Sequence, residues 1–83
     1  MSWNYRMMAQ KDGDNYFFSV HEVYYDKNNI PYSYSKEPVS VNGNSVDDLI
    51  FGVNAIKGAI LNRPVLWYGN RFPEVFDYDK LMK

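Results

Sequence analysis

Tyr16-Phe17-Phe18-Ser19-Val20-His21-Glu22-Val23-Tyr24-Tyr25-Asp26 is the stretch whose reading decides the fold. Turn formers bound it on both sides, Lys11-Asp12-Gly13-Asp14-Asn15 before it and Asp26-Lys27-Asn28-Asn29 after it. As a strand it places Tyr16, Phe18, Val20, Glu22 and Tyr24 on one face, and Phe17, Ser19, His21, Val23 and Tyr25 on the other. Both faces are rich in apolar and aromatic groups, so the strand is expected to be central and covered on both sides. One helix covers one face only. The C-terminal tail or a second subunit is expected to cover part of the other.

Working outward, Trp3 to about Gln10 alternates with period two, with Trp3, Tyr5, Met7 and Ala9 against Asn4, Arg6 and Gln10, and Met8 interrupting the polar side. Asp12-Gly13 signals a hairpin into the central strand. Tyr32 to about Lys36 reads as a third strand, and flanking Pro31 and Pro38 place it at an edge. Val39-Ser40-Val41 extends it irregularly into the Asn42-Gly43-Asn44 turn. Ser45 is the expected N-cap of a helix, with Asp48 three residues on as in a capping box. Val46, Leu49, Ile50, Val53, Ile56, Ile60 and Leu61 then form an apolar stripe expected to face the sheet. Within it Gly52 and Gly58 weaken the helix or admit another backbone, and Asn62-Arg63-Pro64 ends it.

The fold class is therefore α+β: a three-stranded antiparallel sheet, with a possible short fourth strand at Val65 to Tyr68, and one helix packed on a face, in β-β-β-α order. Residues 1–66 form a single domain. Residues 67–83 form an aromatic tail, carrying Phe72, Val75, Phe76, Tyr78, Leu81 and Met82, expected to dock on the domain or on a neighbouring subunit.

At 83 residues the chain sits near the lower limit for a self-sufficient core, burying roughly 60–65% of its unfolded surface. It has no cysteine, which excludes disulfides and thiolate metal sites and favours a reducing, cytoplasmic setting. No long apolar run stands at either end, so no signal peptide and no membrane span is expected. Nine basic residues against ten acidic ones make a poor general nucleic-acid binder, because phosphate neutralisation dominates that affinity. Eight Tyr, five Phe and two Trp exceed what one small core usually holds. With a net charge of −1, that surplus points to self-association or a protein partner.

Residues able to carry chemistry are sparse. His21 is the only histidine, and adjacent Glu22 points to the opposite face of the strand, so the two form no dyad. Metal binding would need further ligands that the spacing does not supply. Asp12 and Asp14 lie in a turn, Asp47 and Asp48 cap the helix, and Asp77 and Asp79 fall in the tail. No serine occupies a nucleophile elbow and no glycine loop is built for phosphate. The sequence implies no cofactor, no metal and no catalytic residue.

Trp3-Asn4-Tyr5-Arg6, Val20-His21-Glu22-Val23-Tyr24-Tyr25-Asp26, Glu37-Pro38-Val39-Ser40 and Arg63-Pro64-Val65-Leu66 together resemble a family of small bacterial and phage proteins. That family is marked by W-N-Y-R, I-H-E-V-Y-Y-D, N-P-V-S and K-P-V-L. This chain departs from the pattern at Val20, Glu37 and Arg63, and runs on longer after Leu66. The family brings no established activity, so the resemblance implies kinship alone. More distantly, three strands followed by a capped helix are similar in order to the HicB-type antitoxin domain. That likeness implies a role in binding and masking a protein partner, without the separate DNA-binding segment that often follows such domains.

These readings converge on a non-catalytic protein-interaction or regulatory module, acting as a homodimer and with a protein partner. Its expected contacts are Tyr24, Tyr25, Tyr32, Tyr34, Trp67, Tyr68, Phe72 and Phe76. The first alternative is a nucleic-acid binder that stacks bases on strand aromatics, with Arg6, Lys27, Lys36 and Arg63 on phosphates. The second is a small enzyme centred on His21.

Overall fold

A computed structural model describes residues 2–77; the expectations for Tyr78, Asp79, Leu81 and Met82 lie outside the described residues. The elements run β1 (Ser2–Asp12), β2 (Asn15–Tyr25), β3 (Pro31–Tyr34), α1 (Val46–Asn62) and β4 (Leu66–Trp67). The fold is α+β, with one helix and a four-stranded sheet in the order β3-β2-β1-β4. β1 and β2 pair antiparallel along their whole length, from Ser2↔Tyr25 to Asp12↔Asn15. Gly13, at φ 62°, takes the first of the two loop positions, where a tight hairpin needs a left-handed residue. Asp26 staples the next turn by accepting from the N–H groups of Asn28 and Ile30 at 2.8 and 3.0 Å, as an Asx turn does.

The purely antiparallel expectation is corrected by β4, which lies parallel to β1 through Met8↔Leu66 and Ala9↔Trp67. The reason is topological. α1 carries the chain from the β3 edge back along the molecule, and the chain re-enters the sheet beside β1 in the same direction as β1. The outer side of β4 is then closed by the following segment: Trp67 N–H donates to Glu74 O, and Phe76 N–H to Val65 O, at 2.9 and 2.7 Å.

The core has two parts, one on each face of the sheet. Met8, Val23 and Leu66 are buried together, with Tyr25, Tyr34, Tyr68 and Phe72 packed around them. On the other face Ala9, Val65 and Phe76 are buried beside Met7, Tyr16 and Trp67. In β1 the side that reads as polar is thus the better covered one, because the segment after β4 folds over it. Arg6 and Met8 are buried, whereas Trp3 is 54% exposed.

Ser45 caps α1, its hydroxyl accepting from Asp48 N–H at 3.1 Å. Asp48 reaches back to Asn44 N–H at 3.0 Å. A Cβ at Gly43 would stand 2.5 Å from that of Asp48, so this cap requires glycine there. The helix does not turn its apolar stripe to the sheet. Its one buried residue is Ala59, flanked by half-buried Gly52, Ala55 and Ile56. At 3.6 residues per turn, Leu49, Val53, Ile60 and Val46 lie about 80–140° around the axis from Ala59. Nor do Gly52 and Gly58 serve close approach, since added methyls there would meet nothing nearer than Asn62 Nδ2 at 3.9 Å.

Two stability outcomes follow. Met8→Ala should cost about 2–5 kcal/mol in urea unfolding, and Trp3→Ala less than half of that despite the larger side chain; the reverse order would mean that the opposite face is the packed one. Gly52→Ala should stabilise the fold by about 0.5–1 kcal/mol, read as a raised melting temperature, because helix propensity improves and no space is contested.

Candidate functional site

His21 is almost completely buried. Nδ1 lies 2.9 Å from the Ser35 carbonyl oxygen, and Nε2 lies 2.8 Å from Ser19 Oγ. A carbonyl can only accept, so Nδ1 carries a proton, and in the neutral ring Nε2 accepts from the serine hydroxyl. Rings close over it, with the Tyr68 centroid 5.3 Å and the Tyr34 centroid 6.2 Å away. Glu22 projects on the other face and accepts from Tyr24 Oη at 3.2 Å. Desolvation raises the Tyr24 phenol above its ordinary pKa, and the hydrogen bond to Glu22, the charge of that carboxylate and nearby Tyr32 push in the same direction. Among the described residues no three His, Asp or Glu side chains gather as a metal site would require.

A second polar cluster surrounds Arg6, whose residue exposure is 9%. Nε and Nη2 donate to the Pro64 carbonyl at 3.2 and 2.8 Å, and Nη1 donates to Tyr25 Oη at 2.8 Å. Tyr25 in turn donates to Asn4 Oδ1 at 2.7 Å. Asn4 and Arg6 of β1, Tyr25 of β2, and Arg63 and Pro64 after α1 therefore meet here. Sequence reading places Arg6 on phosphates at a surface. Its neighbours instead make it the tie between β1 and the chain leaving α1.

The eight expected contact aromatics occupy different settings. Tyr34 and Tyr68 lie over His21 with their own centroids 4.8 Å apart, and Phe72 leans on Tyr34 at 4.6 Å. Phe76 is 5% exposed and lies among Tyr16, Phe18 and Trp67 at 5.0–5.6 Å. Arg71 covers the Trp67 ring at 4.3 Å. Tyr24 and Tyr25 are half-buried, on opposite faces of β2, and Tyr32 is exposed. Lys27 and Lys36 are exposed too, apart from buried Arg6.

The surface richest in uncovered apolar groups is the flank of α1. Val46 is 71% exposed, Ile50 53%, Val53 50% and Leu61 67%; Leu49 and Ile60 are exposed as well. Beside it a cleft of about 790 Å³ runs between Ile60 and Leu61 of the helix and Met7 and Phe18 of the sheet, closed at one end by Arg63, Pro64 and Val65. On the other flank Trp3, Tyr5 and Phe51 wall a cleft of about 600 Å³. Sequence reading finds these helix residues and assigns them to the core. The signal that redirects them is a second, small-residue line at Ala55 and Ala59, half-buried and buried respectively, on the side of the helix that meets the sheet.

Replacing His21 by Ala removes partners from the Ser19 hydroxyl and the Ser35 carbonyl, and should cost about 1–3 kcal/mol in chemical denaturation. Long-range ¹⁵N correlation should show the proton on Nδ1 of the wild-type ring; a proton found on Nε2 alone would contradict the bond to Ser35. Comparison with protein-family models, with curated proteins and with solved structures yields no match for this chain.

Proposed function

We propose that this protein is a non-catalytic protein-interaction module that works as a homodimer, joined through the exposed flank of α1. The observation that carries the reading is the rotation of the apolar stripe away from the sheet. Exposed large hydrophobics scattered singly over a surface need no explanation, but a contiguous run does. At roughly 60–120 Å² of apolar area per aliphatic side chain, the uncovered parts of the six exposed residues in the stripe come to about 300 Å². That already reaches the size of the largest patch on a typical monomer, before the adjoining cleft is counted.

A second copy fits this surface because five residues of the stripe, half-buried Ile56 among them, are spaced symmetrically. Val46, Ile50, Val53, Ile56 and Ile60 stand at −7, −3, 0, +3 and +7 from Val53. A two-fold interface requires that if residue i meets j, then j meets i. Two α1 helices crossed antiparallel about Val53 satisfy that condition along their length, with Val46 against Ile60 and Ile50 against Ile56. The slight net charge of −1 puts little repulsion in the way.

Sedimentation equilibrium should give twice the 9.8 kDa chain mass at micromolar concentration and above, and 0.5 M salt should leave that dimer intact. Val53→Lys brings two like charges together at the symmetry axis and should yield a monomer with an unchanged circular-dichroism spectrum. Tyr32→Ala, on the far edge strand, should leave the dimer intact. A wild-type chain that stays monomeric up to about 1 mM would sink the reading.

A further inference from the structure

Arg6 also lines an open surface pocket of about 350 Å³, together with Ser2, Asn4, Tyr25, Asn29, Arg63 and Pro64. That volume is at the lower end of small-molecule sites. Two of the lining residues are cationic and none is acidic. A guanidinium keeps its charge at any ordinary pH, and taking it out of water costs several kcal/mol unless an opposite charge or good acceptors replace the solvent. Among the described residues Arg6 meets only neutral acceptors, the Pro64 carbonyl and the Tyr25 hydroxyl. Three of its five N–H groups are used in this way.

The surrounding bonds consume acceptors and leave donors. Pro64 O takes two bonds from Arg6. Tyr25 accepts from Arg6 and spends its own proton on Asn4 Oδ1, so the Asn4 amide nitrogen is the end left for the cavity. Asp26, in the turn that carries Asn29, has Oδ1 engaged by two backbone N–H groups. Arg63 reaches the Tyr5 carbonyl only at 3.5 Å. A space lined by two arginines and by no acidic residue, with the Pro64 carbonyl, the Tyr25 hydroxyl and Asn4 Oδ1 already engaged, favours a ligand that brings acceptors and negative charge.

From this geometry we infer that the Arg6–Arg63 cavity is a binding site for an oxyanion, a phosphate or a carboxylate group. Arg6 is the buried anchor, fixed in place by Pro64 and Tyr25, and Arg63 is the outer clamp. Both ligand types offer several acceptor oxygens and a negative charge, which makes each contact a charge-assisted one.

The test is a titration of the full chain with inorganic phosphate and, separately, with acetate, against chloride at equal ionic strength, followed through the arginine Nε–Hε resonances and the Asn4 amide. A saturable shift confined to Arg6, Arg63 and Asn4 is expected. Phosphate alone acting would assign a tetrahedral ligand, and acetate acting equally well would assign a carboxylate; either supports the site. Arg63→Gln, exposed and outside both core clusters, should fold as the wild type does and weaken the midpoint at least about tenfold, the loss of one charge-assisted hydrogen bond. Arg6→Lys keeps the charge and should weaken it as well. Shifts identical in chloride, or a midpoint unmoved in Arg63→Gln, would overturn the inference and leave the two arginines as counter-charges to the helix C-terminus.

Discussion

The structure depends on the seating of Leu66 and Trp67 against Met8 and Ala9. Two residues of parallel pairing are a weak ladder by themselves, and the bonds around them make the seat firm. Arg6 grips the Pro64 carbonyl just before β4, Tyr68 N–H donates to Ala9 O at 2.9 Å just after it, and the segment at Glu74–Phe76 closes its outer side. Once the chain is held there, Leu66 completes the buried group with Met8 and Val23, Tyr68 comes to lie over His21, and Phe72 packs on Tyr34. Val65 and Phe76 complete the opposite group with Ala9. Both halves of the core therefore draw on residues that follow the helix.

That arrangement decides what becomes of α1. The segment after the helix covers one face of the sheet and the far part of the other, so the helix is left to lie along β1 with Ala59 as its only buried residue. At about 25 cal/mol per Å², the roughly 300 Å² left open on its flank corresponds to about 7 kcal/mol of unrealised burial. A chain of 83 residues has a total stability of about 4–12 kcal/mol. An uncovered stripe thus forgoes a free energy comparable with the stability of the whole fold, which is the physical reason to expect it covered in the working protein.

Much of this was legible in the sequence. Asp12-Gly13 announced the first hairpin, the two-sided apolar pattern from Tyr16 to Tyr25 announced an inner strand, and Ser45 with Asp48 announced the helix start. These features are local, and each rests on chemistry within a few residues. What escaped was long-range. The parallel direction of β4 follows from a crossover that two residues cannot signal. The deeper burial of the Arg6–Met8 side of β1 depends on a segment that arrives nearly sixty residues later. The orientation of α1 was misread because a hydrophobic stripe marks the side that seeks cover, without saying whether the same chain supplies it. The aromatic surplus was equally ambiguous: Phe76 and Tyr34 fill the domain's own core, whereas Tyr32 stays outside, and composition cannot sort them.

The two surfaces proposed here come from opposite features of one helix terminus. The flank at Ile60 and Leu61 is apolar and offers area without directional bonds, so its occupant must match its shape and symmetry. The Arg6 cavity offers directional donors and charge with little apolar area, so its occupant must match its polarity. The apolar cleft and the donor cavity share Arg63 and Pro64. Pro64 fixes the backbone between them, and its carbonyl is already committed to Arg6. Arg63 is then the one side chain through which they can interact. An anion held there would neutralise the charge at the margin of the apolar cleft, and lowering a charge beside an apolar contact would reduce the desolvation cost of covering it. By linkage, covering the cleft would then strengthen the anion's hold to the same degree. Of the two residues the sites share, Arg63 carries the charge, and it would set the sign of any coupling between them.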